Sequence, residues 1–243
     1  MRVSTRVVLL LALLASLLSF TKFNHCAATG WQSPDQYVHA CYSDIPALFG
    51  ERGLSKGDWA YSNGVDSVEY PVVTGTVMWA LAQVTPSGAD SVKNYFHINI
   101  LFLALLFIVI SLIIFKWRPE FAYLYPLAPA GIASLYINWD LWAIATMMLS
   151  IYWFDRKQFD LSALAIGISI ATKFIPVFLI PIAIYIFYRN HNLKGALRYL
   201  VITLATWLVI NLPVALTTFD GWWYFYKLNI ERVADWGSIW YAL

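Results

Sequence analysis

"YFHINILFLALLFIVISLIIF", Tyr95–Phe115, carries no charged side chain from end to end, and its reading decides the fold. A helix of about 20 apolar residues matches the hydrocarbon thickness of a bilayer. In lipid every backbone N–H and C=O must pair within the protein, and the stretch lacks the two-residue alternation of a barrel strand. It therefore reads as a spanning α-helix. The rest of the chain agrees, because 60% of its 243 residues are hydrophobic and only 12% are charged. With a mean hydropathy of +0.62 this is the composition of a bilayer protein, not of a soluble domain. The net charge of +2 is small and the basic residues are dispersed, so no surface suits nucleic-acid phosphates.

Further apolar segments lie at Phe121–Tyr136, Leu141–Phe154, Leu161–Thr172, Phe174–Tyr188 and Ala196–Phe219. At the start, Arg2 and Arg6 precede the apolar run Val7–Phe20, which is the pattern of an uncleaved signal anchor or of a signal peptide; either exports the polar stretch after it. Val72–Val84 is short and comes directly after Pro71, so it reads as an interfacial or re-entrant helix, with a full crossing as the alternative. Charge separates the two. If this helix does not cross, Lys116 and Arg118, Arg156 and Lys157, and Arg189, Lys194 and Arg198 all share the cytoplasmic side with Arg2 and Arg6. The expectation is an all-α, polytopic transmembrane helical bundle of about seven spans, multi-pass in the cell membrane with its active face extracytoplasmic. Residues 1–23 form the first helix, 24–94 a large extracytoplasmic loop with the interfacial helix, 95–219 the bundle, and 220–243 an outer tail.

The outer segments hold the candidate chemistry. Cys26 and Cys41 are the two cysteines of the chain, and in an exported loop they favour a disulfide, with free thiols or a zinc site of His25, Cys26, His39 and Cys41 as alternatives. Asp44 comes after Tyr42 and Ser43 at the membrane interface, where partial desolvation suits a general base; the bland reading is a helix N-cap ahead of Pro46. Glu69 precedes the interfacial helix, where its charge also suits the helix dipole. Asp140 lies at the mouth of two apolar helices, which is costly for an acid unless it is paired, capping a helix or wet; Asn138 or Asp140 can cap the helix that starts at Leu141.

Lys173 breaks the basic-inside pattern and wants an anion, either an acid such as Asp140 or Asp44, or a phosphate. Arg232 is a second candidate for the same anion, with Glu231 and Asp235 as local partners. Trp31, Trp59, Trp222, Trp223, Trp236 and Trp240 read mostly as an interfacial belt, with a few offering flat faces to a sugar ring. The chain has no Walker A loop, GxGxxG, HExxH or GxSxG, so nucleotide, zincin and serine-hydrolase chemistry have no support.

Taken in order, "HACYSDIPALFGERGL" (39–54), "VEYPVVTG" (68–75), "INWDLWAIA" (137–145), "ATKFIP" (171–176) and "RVADWGSIWY" (232–241) resemble actinobacterial membrane glycosyltransferases of the GT-C superfamily. The nearest group is glycosyltransferase family 87, with its polyprenyl-phosphate-mannose-dependent mannosyltransferases. The resemblance implies an inverting transfer of a sugar, mannose being the one expected, from a polyprenyl-phosphate donor to a lipid or glycan acceptor. It matches Asp44 to the essential acid of the first outer loop, assigns Lys173 and Arg232 to the lipid phosphate, and leaves Glu69 and Asp140 to hold hydroxyls. The partners are then the lipid-linked sugar, the acceptor and membrane lipids, with no resident metal or cofactor. Family members run on past the "WGSIWY" stretch, so this chain is expected to be truncated or half of a split protein. Two other readings stand beside the enzyme: a transporter or lipid-binding protein using Lys173 and Asp140 as a pair, and a scaffold whose acids only cap helices.

Overall fold

The computed structural model describes residues 4–62, 64–234 and 239–242, so Asp235 and Trp236 lie outside the described residues. Among these every regular element is helical. Helix α1 (Thr5–Thr29) opens with the Ser4 side chain accepting from the Val7 N–H, and closes at Gly30, whose φ of 73° is the left-handed conformation that glycine tolerates. The segment after α1 then forms α2 (Asp35–Val38) and α3 (Asp44–Glu51), and Cys26 is disulfide-bonded to Cys41. Helix α4 (Val72–Gln83) starts where Thr74 Oγ1 donates to the Thr172 carbonyl (2.7 Å) and ends where Gln83 Nε2 donates to the Gly57 carbonyl (3.4 Å).

The uncharged stretch lies inside α5 (Ser91–Trp117), which at 27 residues is about 40 Å long and stops at Arg118-Pro119. The segment read as one apolar helix over Phe121–Tyr136 is broken instead into a 3₁₀ turn (Pro119–Phe121), α6 (Leu124–Leu127) and α7 (Pro129–Ser134). The reason is local: Pro126 and Pro129 each lack an N–H and crowd the preceding turn. This broken length of chain still runs from one end of the bundle to the other. At one end Trp117 Nε1 donates to Asp155 (3.2 Å), and at the other the Asp44 N–H donates to the Ile137 carbonyl (2.8 Å).

Helices α8 (Asp140–Asp155), α9 (Phe159–Thr172), α10 (Leu179–Arg189, after a 3₁₀ turn at Ile175–Phe178) and α11 (Leu193–Thr217) then go back and forth. The chain ends in α12 (Phe219–Glu231) and α13 (Ile239–Ala242). Small and hydroxyl side chains join the packed helices. Ser169 Oγ donates to the Ala143 carbonyl (2.8 Å), and Ser150, Ser162 and Tyr199 link α8, α9 and α11 through hydroxyl pairs of 3.0 and 3.2 Å. A Cβ on Gly167 would meet the Thr203 carbonyl at 2.8 Å, so that glycine allows the close approach of α9 to α11.

The principal core lies among α1, α3, α5 and α8, around fully buried Phe23, Tyr95, Phe96, Phe107, Tyr136 and Trp139. Leu10, Leu17, Leu204, Val209 and Leu216 are exposed on α1 and α11, an apolar surface suited to lipid. By length and composition α1, α5 and α11 are the helices able to cross a membrane, among the described residues. At 16 and 14 residues, α8 and α9 are about 24 and 21 Å long, shorter than a hydrocarbon core of about 30 Å. Their ends at Asp140 and Thr172 meet the segment between α1 and α5, and a cavity is recessed there.

Candidate active site

A cavity of about 590 Å³ opens at that end, lined by Tyr42, Asp44, Glu69, Tyr70, Lys173 and Arg232 among others. Asp44 is the first residue of α3, but it does not cap the helix: Ser43 does, accepting from the Ile45 N–H (3.2 Å) while its hydroxyl donates to the Tyr136 carbonyl (2.8 Å). The Asp44 carboxylate is thereby free for other partners. Tyr70 donates to its Oδ2 at 3.0 Å, and Tyr42 also hydrogen-bonds to it.

Burial pushes the Asp44 carboxyl above its usual range; the Tyr42 and Tyr70 hydrogen bonds and the Lys173 charge oppose the rise, and the Glu69 charge adds to it. Burial, and next the Asp44 charge, raise both phenols, so Tyr42 and Tyr70 stay protonated donors at neutral pH. A carboxylate has about four acceptor positions. Two phenols leave room for a substrate hydroxyl.

Tyr70 is the hub. It is 7% exposed, its ring packs edge-on against Trp139 at 5.6 Å, and Lys173 Nζ stands 5.4 Å above its centroid. Lys173 pairs with Asp140 at 2.5 Å, so this acid is paired at the helix mouth and faces the neighbouring cavity. One residue ahead of the Trp139 N-cap of α8, the Asn138 side chain accepts from the Asp140 N–H at 3.0 Å, and Asn138 lines both cavities. An ammonium has three N–H groups, so one carboxylate does not saturate Lys173.

Glu69 pairs with Arg52 at 2.6 Å, and the Arg52 guanidinium lies 5.9 Å from the Tyr224 ring of α12. Arg232 closes the wall just beyond α12, beside Phe225, Leu228 and Asn229. The disulfide uses both cysteines, so a four-ligand zinc set with His25 and His39 is not available.

Sequence reading missed several of these groups. Tyr42 and Arg52 stand in the 39–54 stretch and Tyr70 in the 68–75 stretch, but a tyrosine near an interface looks like a belt residue and an arginine near one like a solvated charge. The flat faces at the cavity belong to Tyr42, Tyr70, Phe174 and Phe225, whereas none of Trp31, Trp59, Trp222, Trp223 and Trp240 lines it.

Apolar helices that gather a half-buried acid, two phenols, a half-buried lysine and an exposed arginine around one recessed cavity define an integral-membrane protein with an enzyme-like site. A family model described as ALG3 protein matches residues 57–236, and the chain belongs to that family, whose members are glycosyltransferases that move mannose. The match takes in Glu69, Asp140, Lys173 and Arg232 and begins after Asp44, Arg52 and both cysteines. No curated protein and no solved structure matches the chain.

Proposed function

We propose that the chain transfers mannose from a polyprenyl-phosphate carrier to a hydroxyl of a lipid or glycan acceptor, with inversion, on the membrane face away from the cytosol. The observation that carries this reading is the convergence of Asp44, its two phenol donors, Lys173 and Arg232 on one cavity in a chain of a mannose-transferring family. A volume of about 590 Å³ is within the range of small-ligand sites.

In the proposed step the acceptor oxygen attacks C1 of the sugar and its proton passes to Asp44. The bond from C1 to the phosphate oxygen breaks, and polyprenyl phosphate leaves with the electron pair. Lys173 and Arg232 stabilise the charge that develops on that phosphate, Arg232 being suited to bidentate contact. Glu69, oriented by Arg52, and Asp140, oriented by Lys173, hold sugar or acceptor hydroxyls.

Seven crossings, one of them the proline-broken segment 119–136, and an α4 that stays on the outer face go with this reading. They are supported by the two contacts that tie both ends of α4 to that side, Thr74 to Thr172 and Gln83 to Gly57. The narrower likeness to glycosyltransferase family 87 rests on the five quoted stretches. The transporter reading would draw on the Lys173–Asp140 pair alone, which leaves the two phenols on Asp44 without a role.

Donor choice tests the proposal. Membranes containing the chain, given radiolabelled polyprenyl-phosphate mannose, are expected to label an acceptor glycolipid with no nucleotide sugar present. Labelling that requires nucleotide-activated mannose would overturn it.

A further inference from the structure

Beyond the cavity, a second cluster lies on the outer loop. His25 is in the last turns of α1, Asp35 begins α2, and His39 stands just past the end of α2. Asp35 holds both imidazoles: Oδ2 is 3.0 Å from His25 Nε2 and Oδ1 is 2.9 Å from His39 Nδ1. The two rings are 4.1 Å apart, and one ligand atom from each of the three residues falls within 4.8 Å of the others.

From this geometry we infer that His25, Asp35 and His39 form a binding site for a zinc-class divalent cation. Two imidazoles and a carboxylate are a donor set for zinc and its first-row neighbours; calcium and magnesium prefer oxygen alone. In a tetrahedral zinc site neighbouring ligand atoms are about 3.3 Å apart, from metal–ligand bonds of about 2.0 to 2.1 Å. Each imidazole is already at about that spacing from one Asp35 oxygen, Oδ2 for His25 and Oδ1 for His39, and one ligand atom per residue falls within 4.8 Å of the others, so a cation draws the three together over a short distance as it replaces the two hydrogen bonds. The exposure of both histidines leaves the fourth position to water.

Two further features orient the ligands. Thr29 Oγ1 donates to Asp35 Oδ2 at 3.0 Å, the outer-shell contact that fixes a ligating carboxylate. The disulfide joins Cys26, adjacent to His25, to Cys41, two residues past His39, so the segments that carry the ligands are tethered before any cation arrives.

None of the three residues lines the cavity, and the inference does not depend on glycosyl transfer. The site is a staple for the loop that carries Asp44. From α2 the path runs through Tyr37, stacked on Tyr42 at 5.8 Å, and Tyr42 bonds Asp44.

The test uses the full chain without a polyhistidine tag, purified in detergent, with its disulfide kept oxidised. After stripping with chelator it is dialysed against micromolar zinc, and bound metal is measured by mass spectrometry. The expected result is one zinc per chain, with a cobalt spectrum in the visible range typical of tetrahedral coordination. Affinity should fall at least about tenfold in the His25→Gln, His39→Gln double variant, the smallest loss that even an outer-shell change causes. Glutamine keeps hydrogen-bonding groups at both positions, and elution volume with an intact disulfide shows that the variant folds. No zinc retained by the wild-type chain, or equal affinity in the double variant, would overturn the inference.

Discussion

Asp44 pulls against its own ionisation, because burial opposes the charge that a base needs, while Tyr42 and Tyr70 restore part of what water would have supplied. Its folded-state pKa lies above the usual 3.8, so the proton it holds stabilises the fold at low pH, and that contribution is lost as pH rises through the folded value. Above that value the ionised group costs stability relative to an uncharged side chain. Asp44→Asn, which has no charge to bury, should therefore melt no lower than wild type, yet lose transfer activity. Tyr70→Phe removes a hydrogen bond that favours the anion, so the acid limb of the pH–rate profile should move to higher pH; an unmoved limb would detach Tyr70 from Asp44. The acids and Lys173 were legible in the sequence because a charge in a chain this apolar is expensive and needs a reason. Tyr42, Tyr70 and Arg52 were not, since their roles come from partners distant in sequence, such as Tyr70 and Asp44 across 26 residues.

Among the elements, α12 forms a cavity wall. It packs on the loop through Gly221, where a Cβ would run into the Tyr61 carbonyl and lie 2.6 Å from Ser67 Oγ, and Trp222 Nε1 donates to Asn211 of α11 at 3.0 Å. Gly221→Ala should push α12 off this seat, lowering stability by about 1–3 kcal/mol and displacing Phe225 and Arg232 from the cavity. Thermal unfolding and donor affinity would check both effects. The disulfide closes a loop of 15 residues, so Cys26→Ser should cost about 3 kcal/mol, read as an earlier unfolding midpoint under oxidising conditions. Long helices such as α5 and α11 were legible from hydropathy, and the short α4 from its Pro71 boundary. The 119–136 segment was not, because hydropathy sums composition, whereas Pro126 and Pro129 act through one lost N–H each. The segment read as a tail gave no hint that α12 folds back, because docking at Gly221 depends on a loop far earlier in the chain.

For the molecule as a whole, charge separates its two ends. Lys116, Arg118, Arg156, Lys157, Arg189, Lys194 and Arg198 gather at the end opposite the cavity, where Arg198 pairs with Asp160 at 2.5 Å. By the positive-inside rule the proposed orientation has that end in the cytosol. A cysteine at Lys157 should then react with an impermeant reagent only from the cytosolic side, and one at exposed Val38 only from the other. Reaction of both from one side would contradict the orientation. In the proposed reaction the phosphate of a lipid-linked donor would lie at the membrane surface, where Lys173 and Arg232 line the cavity. Transfer of radiolabelled mannose from polyprenyl phosphate by membranes bearing wild-type chain or Asp44→Asn at equal abundance tests the central claim most directly. With Asp44 as the base, transfer is expected from the first and a loss of about 10²–10⁴-fold in the second; equal transfer by both, or none by the wild type, would rule that role out.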